Sequence, residues 1–288
     1  MASNTSSEEV VIPVEPVTAT DTTDASNADI PDYLKMSAME HDQAVEHMKQ
    51  DIEKEVSKQH LVGDIEPTSV LKTVYANDDS VYQAKIQEIE KNYSKIRRIR
   101  QDGNCFFRSF GFSLMEQLLA NKSEIDKIKP SLTAVKTDLI GKFGYPDMTV
   151  EDFYDNFIEV LDKLKEEETD IEYLLKTYQD SGLSDYMVCF MRLIVSVQLQ
   201  RNAEFYLNFI SSKYPTIKSF LSEEVEPMYV ESDHLHIDGL STCLNIRIIV
   251  QYMDRGMKVQ EHKFQEGSPI NVTINLLYRP GHYDILYA

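Results

Sequence analysis

The chain has 288 residues, enough for one globular domain of about 200 residues or more plus an extension. Its 48 Asp and Glu against 29 Lys and Arg give a formal charge of −19, which argues against nucleic acid and anionic membranes as partners and suits a partner with a basic surface or tail. The three cysteines are too few and too odd in number for a disulfide framework, and no Cys/His cluster is spaced for zinc, so a reduced compartment with free thiols is expected.

Residues 1–34 are rich in Ser, Thr, Ala, Val, Asp and Glu, with the first basic residue at Lys35, and read as a disordered acidic tail. No basic, apolar leader is visible there, and no stretch approaches the about 18 apolar residues of a membrane span. Residues 35–62 read as a helical arm: Met39, Ala44, Met48, Ile52 and Val56 fall near one face at helical spacing, and the helix is expected to end near Gly63. The main domain is expected over 63–288. Within it a short connector precedes a helix around Val81–Tyr93, and 120–226 is mostly helical, with loops near Pro130, Pro146 and Pro215. From Leu235 the texture turns strand-like. LNIRIIVQYM ends in a turn at Asp254-Arg255-Gly256, and NVTINLLY and HYDILY flank a turn at Arg279-Pro280-Gly281. Helices first and a small antiparallel sheet last predict an α+β fold.

Two short segments carry chemistry. In Asp102-Gly103-Asn104-Cys105-Phe106-Phe107-Arg108, Gly103 suits a tight turn, and Phe107, Phe110, Leu114 and Leu118 recur as one face of a buried helix. Cys105 therefore falls in that helix's first turn, where free N–H groups and the positive end of the dipole favour a thiolate and offer donors to an oxyanion. Taken singly, Cys105 is better explained as a small core residue, the reading that also suits Cys189 and Cys243. In Gly281-His282-Tyr283-Asp284 on a strand, His282 and Asp284 face one way and Tyr283 and Ile285 the other. A carboxylate beside the ring fixes the imidazole tautomer, so Cys105, His282 and Asp284 fit a Cys-His-Asp arrangement in papain-like order.

DGNCFFRSFGFS resembles the nucleophile motif of the OTU (ovarian-tumour) cysteine proteases. YRPGHYDILY, EPMYVESDHLHIDGLS and YMDRG are similar to segments of its otubain branch, in the right order from about residue 80 to 288. Phe107 stands where Tyr is common in that motif. The resemblance implies a papain-like fold with helices packed on the small sheet and no cofactor. It implies a deubiquitinating thiol isopeptidase with Asp102, Cys105 and His282 at the active-site positions, Asp284 orienting the histidine, and Asp102 acting through the loop that forms the oxyanion hole. Glu231, Ser232, Asp233 and His234 are expected near the distal-ubiquitin surface, with a plain helix start as the competing explanation. HDQAVEHMKQDIEKEV is similar to the arm of the longer otubain type. From this follow ubiquitin and polyubiquitin chains as partners, a preference for the linkage that marks proteins for the proteasome, and a second, cysteine-independent restraint of ubiquitin-conjugating enzymes. A monomer in the cytoplasm, and also in the nucleus, is expected.

Overall fold

The computed structural model describes residues 38–76 and 79–288, and the acidic tail expected over 1–34 lies outside them. The chain divides into two compact units that meet between Asp51 and Ile52. Helix α1 (Ala38–Ser57) crosses that point. The second unit thus begins eleven residues before the start expected at residue 63. The reason is local. Arg100 donates from Nε to the Gln59 carbonyl (2.8 Å) and from Nη2 to the Ser57 carbonyl (3.1 Å), and Leu61 is buried.

Two strands that the sequence did not announce follow: β1 (Val62–Pro67) and β2 (Lys95–Ile99). They flank a 3₁₀ turn (Thr68–Thr73) and α2 (Ser80–Glu90). Both strands are short and charged, and KIRRI is buried at Arg97 as well as at its isoleucines. Then come α3 (Cys105–Ala120), α4 (Ile125–Gly141), α5 (Asp147–Lys165), α6 (Ile171–Gln179), α7 (Ser181–Arg201), α8 (Ala203–Ile210) and a short α9 (Ile217–Phe220). Pro130 lies inside α4 rather than in a loop.

The segment after Leu235 is also helical before it becomes a strand. Helix α10 (His234–Leu244) starts from an Asp233 N-cap in a capping box with His236 and buries Ile237, Leu240 and Leu244 at helical spacing. Strands β3 (Arg247–Tyr252), β4 (Gln260–Phe264), β5 (Thr273–Arg279) and β6 (His282–Tyr287) close the chain.

The six strands form one sheet in the order β1-β2-β6-β5-β3-β4. The α+β class stands, but the sheet is mixed: β3 and β5 run parallel, while the other neighbouring pairs are antiparallel. Helix α3 lies against β5 and β6 on one side and α5, α6 and α7 on the other. That sandwiched place explains why nearly all its residues are buried, not one stripe only. Helix α7 is long and apolar enough to cross a membrane by length and composition, and here it is packed inside the helical layer against α3, α5 and α10. The main core fills the space between this layer and the sheet. A smaller core of Leu71, Ile86, Ile89, Tyr93, Ile96, Met253, Leu277 and Leu286 covers the other sheet face. Strand β6 is therefore apolar on both sides, with Tyr283 and Ile285 in the main core and Leu286 in the second.

Candidate active site

Cys105 opens α3, and His282 and Asp284 stand on β6, the strand that α3 packs against. The two elements are tied at this point. Ser109 Oγ donates to the Tyr283 carbonyl (3.1 Å), and the Phe106 and Tyr283 rings meet edge to face at 5.3 Å. Tertiary packing so brings together residues 177 positions apart in sequence.

The His-x-Asp pair has the geometry expected from strand alternation. His282 Nε2 lies 2.8 Å from Asp284 Oδ1, and both side chains are buried. Asp284 Oδ1 also accepts the Ile99 N–H at 3.0 Å, and Oδ2 accepts from Arg279 Nη2 at 2.7 Å. Burial alone works against ionising this carboxyl. The hydrogen bond and charge of His282, then the Arg279 charge and the Ile99 N–H, outweigh it and hold Asp284 below the ordinary carboxylate range. With Nε2 committed to Asp284, Nδ1 is the nitrogen left for a proton from the nucleophile. It is buried and makes no hydrogen bond.

The thiol is not the thiolate that its helix position suggested. Burial of Cys105 pushes its pKa up to about 12. Hydrogen bonds from the backbone of Tyr283 and Phe106 pull the other way, and the charges of Asp102 and Asp284 add to the rise. The helix start contributes, but desolvation of the sulfur wins. Cys105 is therefore a neutral thiol that does not yet share a hydrogen bond with Nδ1 of His282. Catalytic hydrogen bonds of this kind often tighten only when substrate is bound. Alkylation of Cys105 by iodoacetamide, followed by mass spectrometry across pH in the substrate-free protein, checks this. The rate should still be climbing above pH 10, since only the thiolate reacts. A plateau reached below pH 8 would contradict a buried neutral thiol.

The loop before the nucleophile is held from two sides by arginines that the sequence reading did not single out. Asp102 Oδ1 accepts the Asn104 N–H (3.0 Å), which closes the turn, and both Asp102 oxygens accept from Arg108 Nη1 at 2.8 Å. Arg108 is wholly buried and also donates to Ser184 Oγ (3.1 Å). Through these contacts Asp102 shapes the loop. From the other side Arg192, also buried, donates to the Asn104 side-chain oxygen (2.8 Å) and the carbonyls of Gly103 (3.3 Å), Val225 (2.9 Å) and Val230 (2.8 Å). Its guanidinium lies 4.6 Å from the Phe107 ring centre.

Gly103 is required here twice over. Its φ is +76°, and a Cβ at this position would come within 2.2 Å of the Tyr229 carbonyl oxygen. Tyr229 itself sits at φ +65°, held there by its N–H to Asn104 Oδ1 (3.0 Å) and its hydroxyl to Asp185 Oδ2 (2.9 Å). Lone charged residues inside apolar helices, Arg108 in FFRSF and Arg192 in FMRLI, were the available signal for this framework.

Two cavities flank β6. One, of about 410 Å³, is lined by His282, Asp284 and Arg279 together with Gln59, His60 and Arg98. The other, of about 350 Å³, is lined by Glu231, Ser232, Asp233 and His234 with Tyr252, Tyr278 and Tyr283. Asp233 caps α10, which accounts for the segment as a helix start, and residues 231–234 also wall a cavity beside β6. Glu231 also lies close to Gly281, where a Cβ would come 3.0 Å from its Oε1. Cys189 and Cys243 take no part in the site. Cys189 contacts Met228 Sδ at 3.4 Å, and Cys243 sits in the last turn of α10.

Human ubiquitin thioesterase OTUB1 (Homo sapiens) is 42% identical over 255 residues, which cover 88% of this chain and 92% of that protein. The otubain chain of the h/ceOTUB1–ubiquitin aldehyde–UBCH5B~Ub complex superposes with a TM-score of 0.77 at 34% identity, covering 87% of this chain and 99% of that one. The corresponding UBC13~Ub complex gives 0.78 at 33% identity, covering 86% and 98%. The model of the otubain family, peptidase C65, matches residues 54–288, the stretch that holds every part of the site just described, and the chain belongs to that family.

Proposed function

We propose that this protein is a cysteine-type ubiquitin isopeptidase, with Cys105 as nucleophile, His282 as its base and Asp284 as the group that orients the base. The observation that carries this is the buried His282–Asp284 pair, whose free Nδ1 stands on the strand packed against the Cys105 helix in an otubain chain.

In the reaction Nδ1 of His282 takes the Cys105 proton, and the sulfur attacks the carbonyl carbon of ubiquitin's C-terminal glycine. Negative charge then develops on the carbonyl oxygen, and the backbone N–H groups of Gly103 and Cys105 are offered as its donors, since those of Asp102 and Asn104 are taken within the turn. The imidazolium returns the proton to the departing lysine amine, the C–N bond breaks, and a thioester remains on Cys105. Water, activated by the same imidazole, hydrolyses the thioester and restores the thiol. Asp284 stays ionised throughout and stabilises the imidazolium. Ubiquitin's basic tail suits a chain of charge −19.

The substrates we assign are polyubiquitin chains, with a preference for the degradation linkage, and the place of work is the cytoplasm, and the nucleus as well. Digestion of a panel of di-ubiquitins by the full-length protein tests this. One linkage should be cleaved at least tenfold faster than the rest, and equal cleavage of all linkages would remove the preference.

A second activity is proposed beside cleavage: binding of ubiquitin-charged conjugating enzymes. The observations that favour it are the relatives' complexes with UBCH5B~Ub and UBC13~Ub and the exposure of Met48 and Ile52 on α1. It does not use the thiol, so it survives loss of Cys105. Removal of the arm for such a test should stop at residue 51, because Leu61 and Val62 belong to the buried part of the second unit.

A further inference from the structure

Resting on the isopeptidase reading, we propose that Arg279 is a positioning residue for His282, acting through Asp284. The sequence motif offered Arg279 only as part of a turn. In the sheet it is the partner of His282 across the β5–β6 ladder, just before the turn that Gly281 makes with φ +74°.

The two oxygens of Asp284 are divided between different tasks. Oδ1 serves His282 Nε2 and the Ile99 N–H, and Oδ2 is taken by Arg279 Nη2 at 2.7 Å. With Arg279 in place Asp284 has no exposed surface, and Arg279 Nη2 is the cationic donor to its Oδ2. A fully buried carboxylate that loses one strong cationic partner is driven toward its protonated form. A protonated Asp284 would donate to Nε2 of His282 instead of accepting from it. The ring proton would then move to Nδ1, the nitrogen that must be bare to receive the Cys105 proton. Arg279 thus selects the working tautomer without touching substrate.

The Arg279 side chain is 12% exposed, and its charge acts on the Tyr75 hydroxyl nearby. The Tyr75 ring stacks on Tyr82 of α2, with centroids 4.3 Å apart and planes within 8°. A row of neighbouring groups thus runs from α2 through Tyr75, Arg279 and Asp284 to the catalytic imidazole. It approaches from the side of the sheet opposite the Cys105 helix.

The test is a double-mutant cycle on the full-length protein with a ubiquitin C-terminal amide substrate, combined with ¹⁵N NMR of the His282 ring. Arg279→Gln should lower kcat about 10- to 100-fold, the usual worth of a partner that orients a working histidine, with KM within about twofold. The same change should cost nothing further in an Asp284→Asn background. In the spectra Nδ1 should be bare in the wild type and protonated in Arg279→Gln. Should Arg279→Gln fail to fold, Arg279→Lys replaces it. It should give a smaller kcat loss that likewise vanishes beside Asp284→Asn. Additive losses in the cycle, or a bare Nδ1 in the Arg279→Gln protein, would overturn the proposal. A wild-type protein that cleaves no ubiquitin conjugate would defeat the isopeptidase reading instead, and the NMR arm would still decide what Arg279 does to His282.

Discussion

Cys105→Ala should abolish cleavage of ubiquitin conjugates, with kcat/KM down by about four orders of magnitude or more, while leaving the fold intact. The size follows from the reaction. Covalent catalysis has no second nucleophile to fall back on, because Cys189 and Cys243 lie elsewhere and burial raises the pKa of both thiols. What remains is binding and the oxyanion donors, which accelerate attack by water only weakly. The cost to stability should be small, about 1 kcal/mol, since Cys105 behaves in this state as a small buried neutral group and Ala removes one atom from its place. Two measurements separate the nucleophile from a structural thiol: labelling by ubiquitin carrying a C-terminal electrophile, and the melting temperature. Wild type should be labelled and Cys105→Ala should not, at nearly equal Tm. Equal labelling of the two proteins would rule out Cys105 as the nucleophile. Binding of charged conjugating enzymes should persist in the same variant, which makes it the natural tool for dividing the two proposed activities.

Arg192→Met should produce the largest loss of stability among single changes around the site, about 3–5 kcal/mol. Met approximates the stem of the side chain, but it leaves the carbonyls of Gly103, Val225 and Val230 and the Asn104 oxygen without the donor that now meets them. Burial lowers the Arg192 pKa to about 10, so the guanidinium is still charged at neutral pH and its own desolvation is part of the balance. That relief on mutation is why the loss should fall short of the sum of four charged hydrogen bonds. For a domain of this size the change corresponds to a fall in Tm of about 6–20 °C. Activity should fall as well, by more than tenfold in kcat/KM at temperatures well below the new Tm. Arg192 joins the loop before the nucleophile to the 225–230 segment, and without it Gly103 and Asn104 lose their outer support. Arg192→Lys should recover only part of either effect, because one ammonium cannot meet acceptors placed around a planar fork. A Tm within about 1 °C of wild type would show that this hub is not what holds the loop.

The site was legible in the sequence to the extent that local rules reach it. A glycine turn before a helix placed Cys105 in the first turn of α3, and strand alternation placed His282 and Asp284 on one face of β6. Those inferences need only the helix period and the strand period. The α+β class, the last two strands and their Arg279–Gly281 turn were readable for the same reason.

Tertiary structure decided the rest. Strands β1 and β2 are too short and too charged to carry a pattern, and they exist because neighbours in the sheet complete their hydrogen bonds. The parallel pairing of β3 with β5 depends on a connection that brings β4 to the edge, which no local signal encodes. Helix α10 directly precedes β3 and was read as strand-like with it, while its capping box and packing against α7 make it a helix. The ionisation state of Cys105 is the sharpest case. The sequence by itself determined that the thiol stands at a helix start, where a thiolate is favoured. Only the packed structure, which leaves Cys105 3% exposed, decided that desolvation outweighs the helix and keeps the thiol neutral in this state.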